Sequence, residues 1–258
     1  MKRNREWISQ GFVLTIIFLA LTAAALYVPA AIYVSATAQE RELPIYSVQR
    51  EDKKIALSFD CAWGNGDTQA ILDVLAEQQV RASFFITGSW LEAYPDTVKA
   101  IVSAGHDLGN HSQTHPHMTG LSKEKMKEEI MTVHEGVKEL TGQDMKLFRP
   151  PYGDYNNEVI KTARACGYYS VQWDVDSQDW KDYGVESIIE MVTENKDLGN
   201  GSIILMHNGA KYTKDALGTV ILTLKESGYE LVPVSELIYY DSYQLDHTGR
   251  QIPDSVSN

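Results

Sequence analysis

The sequence predicts an α/β fold, a parallel β/α barrel of about seven units that need not close fully, preceded by an N-terminal transmembrane or signal helix. Three observations lead there. From residue 53 onward, short apolar β-favouring runs alternate with helical patterns, which implies a parallel sheet with helices outside. Gly105, Gly167 and Gly228 each follow a helical pattern, where a left-handed residue ends a helix. Side chains that carry chemistry collect after the strands, on the face where barrels build their sites.

The elements follow in order. Residues Trp7 to Gln39 carry no charge, and Phe12 to Ala36 is apolar enough and long enough to span a bilayer. Lys2, Arg3 and Arg5 precede it, so the positive-inside rule keeps the N-terminus in the cytoplasm. An uncleaved anchor is favoured by the length of the run. Ala36-Thr37-Ala38 also fits a signal-peptide cleavage site, giving a secreted protein. Either way the rest of the chain lies outside the membrane. Residues 39–52 read as a polar linker, 53–240 as the folded α/β domain and 241–258 as a frayed polar tail. Strands are predicted at Ile55–Phe59, Ala82–Thr87, Asp107–Asn110, Leu147–Arg149, Tyr169–Asp174, Ser202–Met206 and Glu230–Val234. Helices are predicted at Asp67–Gln79, Tyr94–Ala104, Ser122–Leu140, Asn157–Cys166, Val185–Glu194 and Lys214–Ser227. In the third of these, Met126, Ile130, Val133 and Val137 share a face and Ser122 is a suitable N-cap.

Composition narrows the function. Of 258 residues, 43% are hydrophobic and 22% charged, which excludes a disordered, collagen-like or disulfide-dense chain. A net charge of -12 argues against nucleic acid as a partner. The two cysteines, Cys61 and Cys166, permit one disulfide but no CxxC zinc site.

Phe59-Asp60-Cys61 follows the first barrel strand, Asn110-His111 the third, Arg149-Pro150-Pro151-Tyr152-Gly153 the fourth, Asp174, Asp176 and Asp179-Trp180 the fifth, and His207-Asn208 the sixth. A lone Asp there is usually a helix cap, and a lone His usually just hydrogen-bonded. Their shared topological position argues for a site. His111 and His115 are spaced i, i+4, which on a helical turn offers two metal nitrogens on one side. Five of the seven histidines fall between residues 106 and 134, and His106, His117 and His134 read as structural or solvent-facing.

KKIALSFDCAWG, HSQTH, RPPYG, DSQDW and ILMH resemble, in order and spacing, the five motifs of the polysaccharide deacetylases, the NodB-homology domains of carbohydrate esterase family 4. The resemblance spans roughly residues 53–238 and is similar to the sporulation-type subgroup with an altered first motif. It implies an incomplete (β/α)7 barrel and a divalent metal cofactor, usually Zn2+. Residue by residue it implies Asp60 as general base, His111 and His115 as metal ligands, and Arg149 as the partner that orients the base. The Tyr152 backbone N–H would serve the oxyanion, Trp180 and Leu205 the acetyl pocket, Asp179 the tuning of the acid, and His207 the acid itself. Amide hydrolysis needs an activated water, an oxyanion stabiliser and a proton for the departing amine, and this set provides each.

One residue departs from the family pattern. Cys61 stands where a second, metal-binding aspartate is usual. A cysteine after a strand is by default a small buried hydrophobe, and three readings of the site stay open: a thiolate ligand, two histidines completed by water or an oxygen such as Asp67, or metal binding weakened or lost. The expected function is extracytoplasmic N-deacetylation of a glycan, with peptidoglycan the favoured substrate. The competing expectations are a metal-poor glycan-binding homologue without turnover and an O-acetyl esterase.

Overall fold

The computed structural model describes residues 41–254 and, before them, Thr22. Apart from Thr22, the expected membrane-spanning segment lies outside the described residues. Among the described residues no helix is long and apolar enough to cross a membrane. The compact unit beginning at Glu42 is described by itself.

Its first strand is β1 (Ser47–Val48), followed by β2 (Lys54–Cys61), α1 (Thr68–Glu77), β3 (Ser83–Ile86), α2 (Gly88–Ala93), α3 (Pro95–Ser103) and β4 (Asp107–Asn110). Then come α4 (Lys123–Thr141), β5 (Leu147–Phe148), α5 (Asn157–Ala165), β6 (Tyr169–Ser170), β7 (Val175–Asp176) and α6 (Val185–Thr193). The chain ends with β8 (Ile203–His207), α7 (Thr213–Glu226), β9 (Glu230–Leu231), α8 (Val234–Leu237), β10 (Tyr243–Leu245) and β11 (Arg250–Pro253). Strands β6-β5-β4-β3-β2-β8-β7 form one curled sheet, every pair parallel, with β9 added to the start of β2. This is the parallel half-barrel with outer helices that the strand–helix rhythm predicts.

Local chemistry sets the helix ends. Ser122 Oγ accepts the Lys125 N–H at 3.4 Å and Gly142, at φ 76°, closes α4. Asn156 Oδ1 caps α5 through the Val159 N–H at 3.0 Å. Strand parity sorts the core. Ile55, Leu57, Phe59 and Cys61 of β2 pack outward among the helices with Phe84, Ile86, Ile204 and Met206. Ala56, Phe85, Leu147 and Ile203 belong to a second, inner cluster. Successive side chains of a strand point to opposite faces, so the even-numbered residues of β2, Ser58 and Asp60, share the interior with Ala56.

Three expectations need correction. The strand expected over Tyr169–Asp174 ends after Ser170 as β6; residues 171–174 cross to the other end of the curled sheet, where β7 begins only at Val175. The expected linker fills that gap. Ile45 N–H donates to Ser170 O at 2.8 Å, Gln172 N–H to Ile45 O at 2.7 Å, and Val48 N–H to Gly201 O at 2.9 Å. Buried Ile45 and Val48 thereby join the inner cluster. The described part of the expected frayed tail is ordered: β10 pairs antiparallel with β11, which pairs parallel with β1. Backbone hydrogen bonding to β1 holds this polar stretch, a long-range effect that side-chain patterning does not register. Cys61 and Cys166 are both free, so no disulfide links them.

Gly201 sits at φ 86° against the plug, where an added Cβ would lie 1.7 Å from Val48 O. Gly201→Ala should therefore destabilise the fold by about 2–3 kcal/mol, lowering Tm by roughly 5–10 °C in a thermal melt. An unchanged Tm would show that the 45–48 segment contributes little to closing the barrel.

Candidate active site

The strand ends deliver one cleft of about 390 Å³, lined by Asp60, Ala62, Trp63, His111, His115, Tyr152, Gly153, Trp173, Asp176, Trp180, Leu205 and His207. Its floor is a buried ion pair. Arg149, fully buried just after β5, donates from Nη1 to Asp60 Oδ1 at 2.7 Å. Its Nη2 donates to Ser58 Oγ at 2.9 Å and to Gln172 O at 3.1 Å. The guanidinium lies 4.0 Å from the Phe85 ring centre, a cation–π contact. Phe85 has that position because its β4 neighbour is Gly109, where any Cβ would come within 2.4 Å of the ring. Burial alone would raise the Asp60 carboxyl, but Arg149, with His111 and His207, holds it below its ordinary value. Burial also pulls Arg149 down against the raising effect of Asp60. A guanidinium nevertheless stays charged in proteins, so Asp60 is an ionised, aimed carboxylate at neutral pH.

His111 and His115 meet, but not on a helix. Ser112 (φ 67°) and His115 (φ 58°) are left-handed, so the segment is a tight turn and not the helical turn that the spacing suggested. Side chains hold it: Asn110 Oδ1 accepts the Ser112 N–H at 2.9 Å, and Ser112 Oγ the His115 N–H at 3.1 Å. Left-handed non-glycine residues cost about 1 kcal/mol or more each, and such strain clusters at functional sites. His111 Nδ1–H donates to Arg149 O at 2.7 Å, which assigns its tautomer and leaves Nε2 with a free lone pair. That Nε2 lies 3.1 Å from His115 Nε2 and 3.5 Å from Asp60 Oδ2. Burial lowers both imidazoles, His115 to about 4, so both are neutral at pH 7.

Two neutral imidazoles with converging Nε2 atoms suit a divalent cation. A third residue does not join them. Among the described residues no group of three or more His, Cys, Asp or Glu side chains could hold a metal. Of the open readings of Cys61, the thiolate ligand is the one this geometry does not favour. Cys61 follows Asp60 on β2, so it points to the opposite face, packs in the outer core and does not line the cleft. Burial also pushes its thiol well above the ordinary value, with Asp60 adding to the rise. Asp67, the other candidate oxygen, is paired with Lys214 at 2.9 Å and is likewise not part of the lining. The residues present therefore fit a cation held by two imidazoles.

His207, at the end of β8, has the opposite electrostatics. Its Nδ1 lies 2.7 Å from Asp179 Oδ1, and its backbone N–H donates to Asp179 Oδ2 at 2.7 Å. Thr213 Oγ1–H donates to the same Oδ2 at 2.6 Å, which locks the carboxylate. Burial would lower the imidazole, but Asp179, with help from Asp60 and Asp176, raises it above its ordinary value. With Nδ1 occupied, Nε2 is the nitrogen left to serve a substrate. Asp176, raised by burial, lines the cleft and accepts the Gln178 N–H at 2.8 Å. Tyr152 is left-handed (φ 60°), with its ring edge-on to His115 and stacked at 4.2 Å on His117.

Every expected site residue except Cys61 is thus in the cleft or directly behind it. The sequence reading missed Trp63, Trp173 and Thr213. Trp63 had a signal, since it lies three residues beyond the Asp60 strand end; Thr213, at the start of α7, had none. His106 and His134 are structural, His106 Nδ1 accepting the Ala82 N–H at 3.2 Å and His134 Nδ1 lying 2.7 Å from the Tyr168 hydroxyl.

A family model described as polysaccharide deacetylase matches residues 47–171. The peptidoglycan-N-acetylglucosamine deacetylase of Bacillus cereus is 35% identical over 200 residues, 76% of this chain and 92% of that one. Among solved structures, a carbohydrate esterase family 4 pseudoenzyme from Bacillus anthracis superposes with a TM-score of 0.72 at 34% identity, covering 76% of this chain and 68% of that one. A mutant of that pseudoenzyme described as having restored enzymatic activity also matches with a TM-score of 0.72, at 35% identity and 76% and 71% coverage.

Two outcomes test this geometry. In a titration with Zn2+ or Co2+, Cys61→Ala should leave the affinity within about twofold, whereas His111→Ala should abolish binding. A large loss in Cys61→Ala would restore the thiol as a ligand. Asp179→Asn should make His207 titrate at lower pH, followed by NMR of the imidazole, because the carboxylate that raises it is gone. The sign for stability is consistent. The raised imidazole contributes fully below the unfolded His value, about 6.5, and the contribution is lost as pH rises through the folded value.

Proposed function

The chain belongs to the polysaccharide deacetylase family, hydrolases of acetamido C–N bonds, and from that premise we propose that it removes N-acetyl groups from a cell-wall glycan, peptidoglycan being the favoured substrate. The observation that carries this is the pairing of an ionised carboxylate, Asp60 on Arg149, with an imidazole that Asp179 holds toward its charged form, across one cleft. A site that only bound glycan would need neither a base nor an acid. The expected export by residues 1–38 would put the domain where such a glycan is found.

In this reaction Asp60 accepts the proton of the attacking water, and Arg149 keeps the carboxylate ionised and aimed. The backbone N–H of Tyr152 donates to the developing oxyanion. Trp180 and Leu205 enclose the acetyl methyl, which favours acetyl over larger acyl groups. His207 gives its proton to the departing sugar nitrogen, and Asp179 and Thr213 hold the ring in register. His111 and His115 would hold a divalent ion, zinc by preference, which when bound would supply Lewis acidity and make a water more acidic.

A second reading has its own observation. With Cys61 in the outer core, the cation keeps two protein ligands, so the chain could instead bind glycan without turning it over, as a metal-poor homologue. The likeness to a pseudoenzyme supports this alternative.

Acetate release by the full-length protein from peptidoglycan and N-acetylglucosamine oligomers separates the two. We expect release that chelator removes and zinc or cobalt restores, a free amine in the product, and a loss of roughly 10²–10⁴-fold in Asp60→Asn. No release from either substrate with metal present would favour the binding reading.

A further inference from the structure

Six large apolar side chains are exposed among the described residues, and three of them, Trp63, Tyr152 and Trp180, line the one cleft. Proteins seldom gather exposed aromatic area without a ligand for it. Trp63 is the least explained, since neither the resemblance nor the chemistry above assigns it a role. The residue is 52% exposed, and its indole stacks on the His207 ring with centroids 5.5 Å apart and planes 28° from parallel.

The stack is built, not incidental. The carbonyl of the next residue, Gly64, accepts the Trp90 Nε1–H at 3.0 Å and the Asn208 Nδ2–H at 2.9 Å. Asn208 directly follows His207, and its Nδ2 also donates to Thr68 Oγ1 at 3.2 Å. Trp90 is 2% exposed and Asn208 fully buried, so the loop bearing Trp63 is clamped to the element that carries His207. One face of the indole is covered by the imidazole, and the exposed remainder is a flat apolar surface at the lip of the cleft.

We propose that Trp63 is a substrate-binding residue whose indole takes the apolar C–H face of a hexosamine pyranose ring. This rests on the reading of the cleft as a glycan deacetylase site. A sugar whose acetamido nitrogen is within reach of His207 must place its ring beside the surface stacked on that histidine. A pyranose offers a flat face of C–H groups and equatorial hydroxyls at its rim, which suits a half-exposed indole held rigidly in place. Trp63 then selects for ring orientation, presenting the acetamido group to Asp60 and His207.

The test is binding of the β-1,4-linked N-acetylglucosamine tetramer to the full-length protein, by calorimetry and by NMR of the indole Nε1–H signals. The Trp63 signal is identified by its absence in Trp63→Phe. The expected result is a tetramer-dependent shift of that signal, a Kd weakened about tenfold or more in Trp63→Ala, and a Kd within about threefold in Trp63→Phe. Tyr183→Ala removes an exposed aromatic outside the cleft and should leave Kd unchanged. Equal Kd in Trp63→Ala and wild type overturns the proposal, as does the lack of saturable tetramer binding by the wild type. Trp63-dependent binding without acetate release would sink the deacetylase reading while leaving this assignment intact. Acetate release with unaltered tetramer affinity in Trp63→Ala would do the reverse.

Discussion

The buried pair between Arg149 and Asp60 organises everything above it. A guanidinium with no exposure inside a barrel is costly unless its charge and donors are met. Here a carboxylate, a serine hydroxyl and a backbone carbonyl meet two of its nitrogens, and an aromatic face lies beneath it. Asp60 and Ser58 come from β2, Phe85 from β3 and the Gln172 carbonyl from just beyond β6, so Arg149, at the end of β5, ties these strands together where the cleft opens. Arg149 also reaches the second group of functional residues, because its own carbonyl fixes the His111 tautomer. One residue thus keeps the Asp60 carboxylate ionised and sets which nitrogen of His111 faces the cleft.

Around that pair the fold divides its histidines by environment. His111 and His115 are lowered by burial and remain neutral, the state a metal ligand needs. His207 is as enclosed, yet a carboxylate held by Thr213 and by the His207 backbone raises it. Opposite shifts within one cleft leave two neutral imidazoles beside one held toward its charged form, the kind of divergence that acid–base chemistry uses. No sequence separation could have achieved this; the distinction lies in which ring has a carboxylate on Nδ1 and which has a carbonyl.

Cys61 shows how strictly β geometry constrains such a site. Adjacent residues of a strand face opposite ways, so a chain that keeps β2 regular through residue 61 can send Asp60 into the barrel only by sending Cys61 out. A small apolar thiol suits the outer core, where it packs with Phe59 and Ile86. The pairing of Cys61 with Ile86 continues the β2–β3 ladder to its last residue, and that regularity keeps the thiol away from the two imidazoles.

The alternation of strands and helices, the glycines that end helices and the motif residues after the strands are all legible in the chain's residues. These are legible because hydrophobic periodicity and capping act over a few neighbours. The residues Asp60, His111, His115, Arg149, Asp179 and His207 could be named from their positions after predicted strands, since a parallel barrel gathers such positions on one face. Tertiary structure alone decided that Ile45–Val48 plugs the open side of the barrel and that residues 243–253 pair with it, because backbone hydrogen bonds between distant segments leave no periodic trace. It also decided that two left-handed residues bring His111 to His115, that Thr213 locks Asp179, and that Trp63 stacks on His207. Each of these is a contact between residues whose meeting depends on the curvature and register of the whole sheet, which no local window of sequence contains.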